Sequence, residues 1–203
     1  LQPDTRPNTK FLSDGICPAC NYFEELKKVD WEERYEILQH ELEKYRSQSN
    51  QMFDCIIGVS GGKDSTRQAL WVRDKLGLKP LLVSLSYPPE QITDRGTDNI
   101  SNLINLGFDV IISAPSPQTW RLLMRESFFR FTNWAKSTEL ALFSSVPQLA
   151  IKYKIPLILW GENPGLQLGD MKSLGKTGFD GNNLRHLNTL SGAQPEWIKE
   201  SVE

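Results

Sequence analysis

The stretch that most constrains this chain of 203 residues is CIIGVSGGKDSTRQAL, Cys55 to Leu70. An unbroken apolar run reads as a buried strand, a glycine pair as a tight turn, and the residues after it as a helix. That is the opening of a strand–helix unit in a parallel sheet. Gly61 and Gly62 let the backbone turn sharply and approach a ligand closely. Ser65 is expected to begin the helix, whose free N–H groups and dipole favour an anion. Ser60 and Ser65 add hydroxyl groups and Lys63 adds positive charge. The loop suits a phosphate or pyrophosphate at the end of the first strand. Asp64 is out of place beside an anion unless a cation lies between them, which points to Mg²⁺.

Two widespread phosphate-loop patterns fail here. A Walker-type loop needs Ser or Thr after its lysine, and Asp64 follows Lys63 while Ile57 stands where the first glycine belongs. The dinucleotide pattern needs a glycine two places after Gly58, where this chain has Ser60.

Around the loop the pattern alternates. Phe53–Val59 is the first strand, and Ser65–Gly77 a helix with Ala69, Leu70, Val72 and Leu76 inward and Gly77 as its stop. Pro80–Leu85 is the second strand, Thr97–Gly107 the second helix and Phe108–Ser113 the third strand. Gln118–Trp134 and Glu139–Lys154 read as helices, the latter bent near Pro147. Ile155–Gly161 is the fourth strand. Strands separated by helices predict a parallel sheet with helices on both faces. Before this domain, Trp31, Tyr35, Leu38, Leu42 and Tyr45 fall on one helical stripe, capped by Asp30 with Glu33 as its capping-box partner. His40 lies on that helix's polar side. Residues 1–22 are polar and proline-bearing and read as irregular backbone. Residues 47–51 read as a linker, and residues 161–193, rich in Gly and Asn, as active-site loops. The chain begins at Leu1 and stops just after a polar region, and is read as part of a longer protein.

The composition is 39% hydrophobic and 24% charged, with a net charge of −2. That is ordinary for a globular domain and gives no argument for a nucleic-acid surface, while leaving a local basic patch open. No run of eighteen apolar residues predicts a membrane span, and no secretory signal is visible, so a cytoplasmic protein is expected. The three cysteines, Cys17, Cys20 and Cys55, form one tight pair and a single thiol. That suits a reduced compartment and a metal site better than a disulfide framework. Cys55, inside the first strand, reads as a core thiol.

The string SGGKDS resembles the S-G-G-x-D-S signature of the PP-loop ATP pyrophosphatases. The resemblance implies a Rossmann-like adenine nucleotide fold and ATP cleavage between the α and β phosphates. By that resemblance pyrophosphate would be held by Ser60, Gly61, Gly62, Lys63, Asp64 and Ser65, and AMP would pass to a substrate oxygen. Ligands of such sheets sit beyond the carboxyl ends of the strands. There Ser84, Leu85 and Ser86 would read the adenine through their backbone, and Gly161 would allow close approach. Glu162 would share Mg²⁺ with Asp64, and Lys63, Asp64 and Glu162 would be catalytic. A glycine turn with no ligand is the plain alternative for the loop, and a solvent-facing or helix-capping carboxylate the alternative for Glu162.

The loop alone leaves the acceptor open among carboxylates, a tRNA base and an amide. Read together and in order, PDTRPNTKF, GICPAC, DWEERYEIL, GENPGLQLGD and NNLRHLNTLSG resemble the N-acetyl sugar amidotransferase family, from Pro3 to Gly192. This family makes acetamidino sugars for bacterial surface polysaccharides and nonulosonic-acid glycans. The resemblance implies residues 52–193 as the PP-loop ATP-binding domain, 30–51 as helix and linker, and 194–203 as the start of a further region. Residues 1–29 become a zinc-ribbon-like module, half present. In it Cys17 and Cys20 would join an upstream C-x-x-C pair. If that pair ended just before Leu1, Leu1–Ile16 would separate the two at a spacing that fits a four-cysteine structural zinc site.

Asn182, Asn183, Arg185, Asn188, Thr189 and Ser191 are candidates to bind the sugar, Lys172 and Lys176 to meet its negative charge, and His186 to take a proton from ammonia. A flexible polar loop and a structural histidine are the alternatives. With no nucleophile motif for releasing ammonia from glutamine, the chain is expected to rely on a glutaminase subunit, and the resemblance implies such a partner together with a cyclase-like subunit. Docking would open a channel near Glu162 and the loop around 182–191. A tRNA-thiolation enzyme and a non-catalytic nucleotide-binding module are the competing readings.

Overall fold

The computed structural model describes residues 11–46, 52–161 and 195–202. These fall into two compact units, one with residues 11–42 and the other with 43–46, 52–161 and 195–202.

The first unit opens with a turn closed by Asp14, whose carboxylate accepts from the Ile16 amide at 3.1 Å. Helix α1 follows over Pro18–Leu26, with Cys17 as N-cap. Residues 18–22 are therefore helical, not irregular. Pro18 is the reason: at the first helical position its fixed φ suits the helix and its missing N–H costs nothing. Helix α2 runs over Trp31–Arg46. The Asp30 carboxylate accepts from the amides of Glu32 and Glu33, at 3.0 and 3.1 Å, so this cap forms as its sequence predicts. The expected apolar stripe is only partly buried. Leu42 is fully enclosed, Tyr35, Leu38 and Tyr45 are half-buried, and Trp31 at the helix start is exposed. The linker at 47–51 lies outside the described residues.

The second unit is a four-stranded parallel sheet in the order β3-β2-β1-β4, with β1 Cys55–Gly58, β2 Pro80–Leu85, β3 Val110–Ser113 and β4 Ile158–Leu159. Helix α3 (Lys63–Asp74) joins β1 to β2, and α4 (Asp94–Asn105) joins β2 to β3. Helices α5 (Pro117–Phe131) and α6 (Lys136–Tyr153) make the return to β4, and α7 covers Pro195–Val202. Parallel crossovers are right-handed, so α3 and α4 cover one face and the reversed connection covers the other. The fold is a Rossmann-like α/β sheet with helices on both faces.

Alternation along β1 divides its burial between those faces. Ile56 packs with Leu81, Val83, Val146, Ala150 and Ile155 on the α6 side. Cys55 and Ile57, both without solvent exposure, face the opposite way. Asp54 is buried for a structural reason: its carboxylate accepts from the Lys79 amide at 2.8 Å, joining the starts of β1 and β2.

Element ends depart from the sequence reading where a cap decides them. Helix α4 starts three residues earlier than expected, because the Thr93 hydroxyl accepts from the Gly96 amide and sets the N-cap there. Helix α6 passes through Pro147 as one element. Strand β4 is cut to two residues, since it pairs with β1 only at Ile158 and Leu159. None of the described helices is long and apolar enough to cross a membrane.

Candidate functional site

The strand order reverses between β1 and β4. The chain steps outward from β1 to β2 and β3, then returns to the other side of β1. At such a switch point the loops leave in opposite directions and open a crevice at the carboxyl ends of the strands. The SGGKDS loop leaves β1 at this point, and Trp160–Gly161 leaves β4 beside it.

The helix begins two residues before the expected Ser65. Gly62 is the N-cap, in an extended conformation, and Lys63, Asp64 and Ser65 form the first turn. The first intrahelical bond runs from the Thr66 amide to the Gly62 carbonyl at 3.0 Å. The amides of Lys63, Asp64 and Ser65 therefore precede the helical ladder and point out of the helix end. Side chains brace the turn. Ser65 Oγ donates to the Gly62 carbonyl at 3.2 Å, Thr66 Oγ1 to the Gly61 carbonyl at 3.1 Å, and the Gly62 amide donates to Ser60 Oγ at 3.3 Å. Ser60, Lys63 and Asp64 remain exposed. The result is an anion cradle with one lysine and one carboxylate at its rim.

Gly61 is required on two counts. Its φ is +73°, and a Cβ there would lie 2.8 Å from the backbone carbonyl of Asn99 on α4. The loop is held in shape by a neighbouring helix. Asn99 is a supporting residue that sequence reading misses, because nothing in the α4 pattern marks the backbone contact.

At the end of β2, Val83 accepts from the Val59 amide on the β1 side, and the Ser86 amide donates to Ser113 on the β3 side, both at 2.8 Å. Strand alternation then turns the Leu85 amide and carbonyl toward the β1 side, beyond the point where β1 has bent into the loop. Of the three adenine candidates, Leu85 offers its backbone to the crevice. Ser84 is buried within the β2–β3 ladder, opposite Ile112.

Gly161 meets Gln68, a residue of the second turn of α3 that sequence reading passes over. Gln68 Nε2 donates to the Leu159 carbonyl at 3.3 Å. The signal was present. Gln68 occupies a helical position shared with Ser65, Val72 and Leu76, a polar side chain on an otherwise inward stripe.

A separate groove of about 740 Å³ opens between α3 and α4, lined by Lys63, Arg67, Trp71, Asn102 and Asn105 among others. It shares Gly61 and Lys63 with the loop, and its lining includes none of Ser84, Leu85, Ser86 or Gly161.

The remaining candidates divide. Glu162, Lys172, Lys176, Asn182, Asn183, Arg185, His186, Asn188, Thr189 and Ser191 lie outside the described residues. Cys17 is buried and Cys20 exposed, and the Cys20 thiol is held above its usual range, chiefly by its hydrogen bond with Cys17. The two sulfurs are thus neighbours at the start of α1, which fits half of a four-thiolate site. Among the described residues no group of three or more His, Cys, Asp and Glu side chains gathers. Cys55 is enclosed, and burial is the main cause that pushes its thiol up to about 12.

No protein-family model matches the chain, and no curated protein matches it. Among solved structures the chain is similar to NMN synthetase from Francisella tularensis, at 15% identity and a TM-score of 0.42, over 82% of this chain and 94% of that one. A likeness this distant leaves the reaction to be argued from the residues themselves.

Proposed function

We propose that this chain is a PP-loop ATP pyrophosphatase that activates an amide oxygen, an ATP-dependent amidotransferase acting on the N-acetyl group of a sugar or sugar nucleotide. The observation that carries the pyrophosphatase part of the reading is SGGKDS, folded as a braced turn at the β1/β4 switch point, and the choice of an N-acetyl acceptor rests on the wider resemblance of GICPAC, DWEERYEIL, GENPGLQLGD and NNLRHLNTLSG to the sugar amidotransferases. The amides of Lys63, Asp64 and Ser65, with Lys63 Nζ, would hold the β and γ phosphates, and the Leu85 backbone would read the adenine. Asp64, exposed at the rim, would be a ligand for Mg²⁺, which when bound would neutralise the phosphates.

An acetamide is a poor electrophile because resonance spreads the nitrogen lone pair onto oxygen. In the proposed reaction its oxygen attacks the α phosphorus of ATP. An O–P bond forms, the α–β bridge breaks and pyrophosphate leaves. Ammonia then attacks the imidate carbon, a C–N bond forms, the C–O bond to AMP breaks, and loss of a proton leaves an amidine. Neither step needs a covalent protein nucleophile. The chain's part is positioning and charge stabilisation.

The thiolation alternative needs a reactive sulfur near the nucleotide. Cys55 is a poor candidate, because a thiol pushed up to about 12 is neutral and sealed from reagents at physiological pH. A non-catalytic nucleotide-binding module would bind ATP and leave it intact. The test is to incubate the protein with MgATP, ammonium and a panel of N-acetyl sugars and their nucleotides. Sugar-dependent AMP and pyrophosphate, with an amidine product, support the proposal. ATP binding without turnover across the panel favours the module.

A further inference from the structure

We propose that Gln68 is a positioning residue that couples the phosphate loop to the end of β4. The inference rests on the phosphate-loop reading above. Three observations meet at this side chain. Its amide donates to the carbonyl of Leu159 at 3.3 Å, where the pairing of β4 with β1 stops. Its Oε1 lies where a Gly161 Cβ would stand, so the carboxamide occupies the space a side chain there would need. Gln68 also sits on the same helix as Lys63, Asp64 and Ser65, one turn on from the cradle.

Among the described residues, the end of β4 is also fixed by its pairing and by packing on the α6 side, where Ile158 and Trp160 lie against the core cluster. The strand holds β1 through two residues. On the opposite face Trp160 packs against Phe143, with ring centroids 5.8 Å apart. Gln68 completes the clamp from the α3 side. A phosphate drawn onto the helix end would therefore also set the position of Trp160 and Gly161 across the crevice.

The geometry is tested first by a mutant cycle. Gly161→Ala, which pushes the carboxamide off Leu159, and Gln68→Ala, which removes it, should each lower the melting temperature modestly, and the double variant should lose no more than Gln68→Ala alone. Additive losses would remove the packing basis. The coupling is then read by hydrogen–deuterium exchange of the peptide spanning 155–161, with and without MgATP, alongside calorimetric binding. The wild-type peptide should gain protection on MgATP binding. Gln68→Glu, which keeps the shape and loses the N–H donor, should bind MgATP within about threefold of wild type and show no such gain. If wild type binds MgATP and the peptide does not respond, or Gln68→Glu responds equally, the coupling is wrong and the phosphate-loop reading stands. If wild type fails to bind MgATP, both fall.

Discussion

At the scale of single residues, the loop is explained by what surrounds it as much as by what it contains. Gly61 and Gly77 both have positive φ, +73° and +66°, but only Gly61 has a neighbour in the path of a side chain. Gly77→Ala should lose only the conformational term, about 1–2 kcal/mol. Gly61→Ala should lose that and more, because Asn99 must move. Equal losses in urea unfolding would contradict the packing. Cys55 gives a pH prediction. Its native thiol is pushed up to about 12, chiefly by burial and secondarily by the nearby Asp54 charge. An unfolded thiol titrates near about 8.5. The folded pKa is the higher, so this contribution to stability is intact below about pH 8.5 and fades as pH climbs toward about 12. At pH 8 iodoacetamide should leave Cys55 untouched in the native protein and modify it once unfolded. Rapid native labelling of Cys55 would mean the β1 strand is open.

Among elements, the sequence made the strand and helix order legible because buried strands and glycine stops are local signals. Pro80–Leu85 agrees to the residue. The apolar pattern puts the helix starts at Ser65 and Thr97, not at Lys63 and Asp94, because N-caps depend on one backbone angle or one hydroxyl that such a pattern does not reveal. Helix α1 escapes the sequence reading because residues 1–22 are polar and proline-bearing and show no apolar period, while Pro18 in fact stands at a helix start. The loop was legible from SGGKDS, whereas Gln68 and Asn99 act through contacts far apart in the chain. The α1 start also carries a prediction. If Cys17 and Cys20 are half of a structural zinc site, the protein with its upstream residues should hold about one zinc per chain, and Cys20→Ser should release it. No stoichiometric zinc would contradict the ribbon.

For the whole molecule, the proposed chemistry fixes where ammonia comes from. Free ammonium is almost wholly protonated at neutral pH and is not nucleophilic in that form. The sequence carries no recognisable nucleophile motif for releasing ammonia from glutamine. We propose that a glutaminase subunit delivers ammonia through a shielded path, alongside a cyclase-like subunit. With a sugar acceptor, the protein alone should form amidine from concentrated ammonium and not from glutamine. Glutamine-driven turnover by this chain alone would contradict the partner proposal.

The central claim is that the cradle at the β1/β4 switch directs cleavage between the α and β phosphates. Phosphorus NMR of the products formed from MgATP under acceptor turnover reads this directly. The account predicts AMP and pyrophosphate in equal amounts, abolished by Asp64→Asn and by Ser65→Ala in variants that keep the wild-type circular dichroism spectrum. ADP and orthophosphate as the products, or undiminished turnover in both variants, would contradict it.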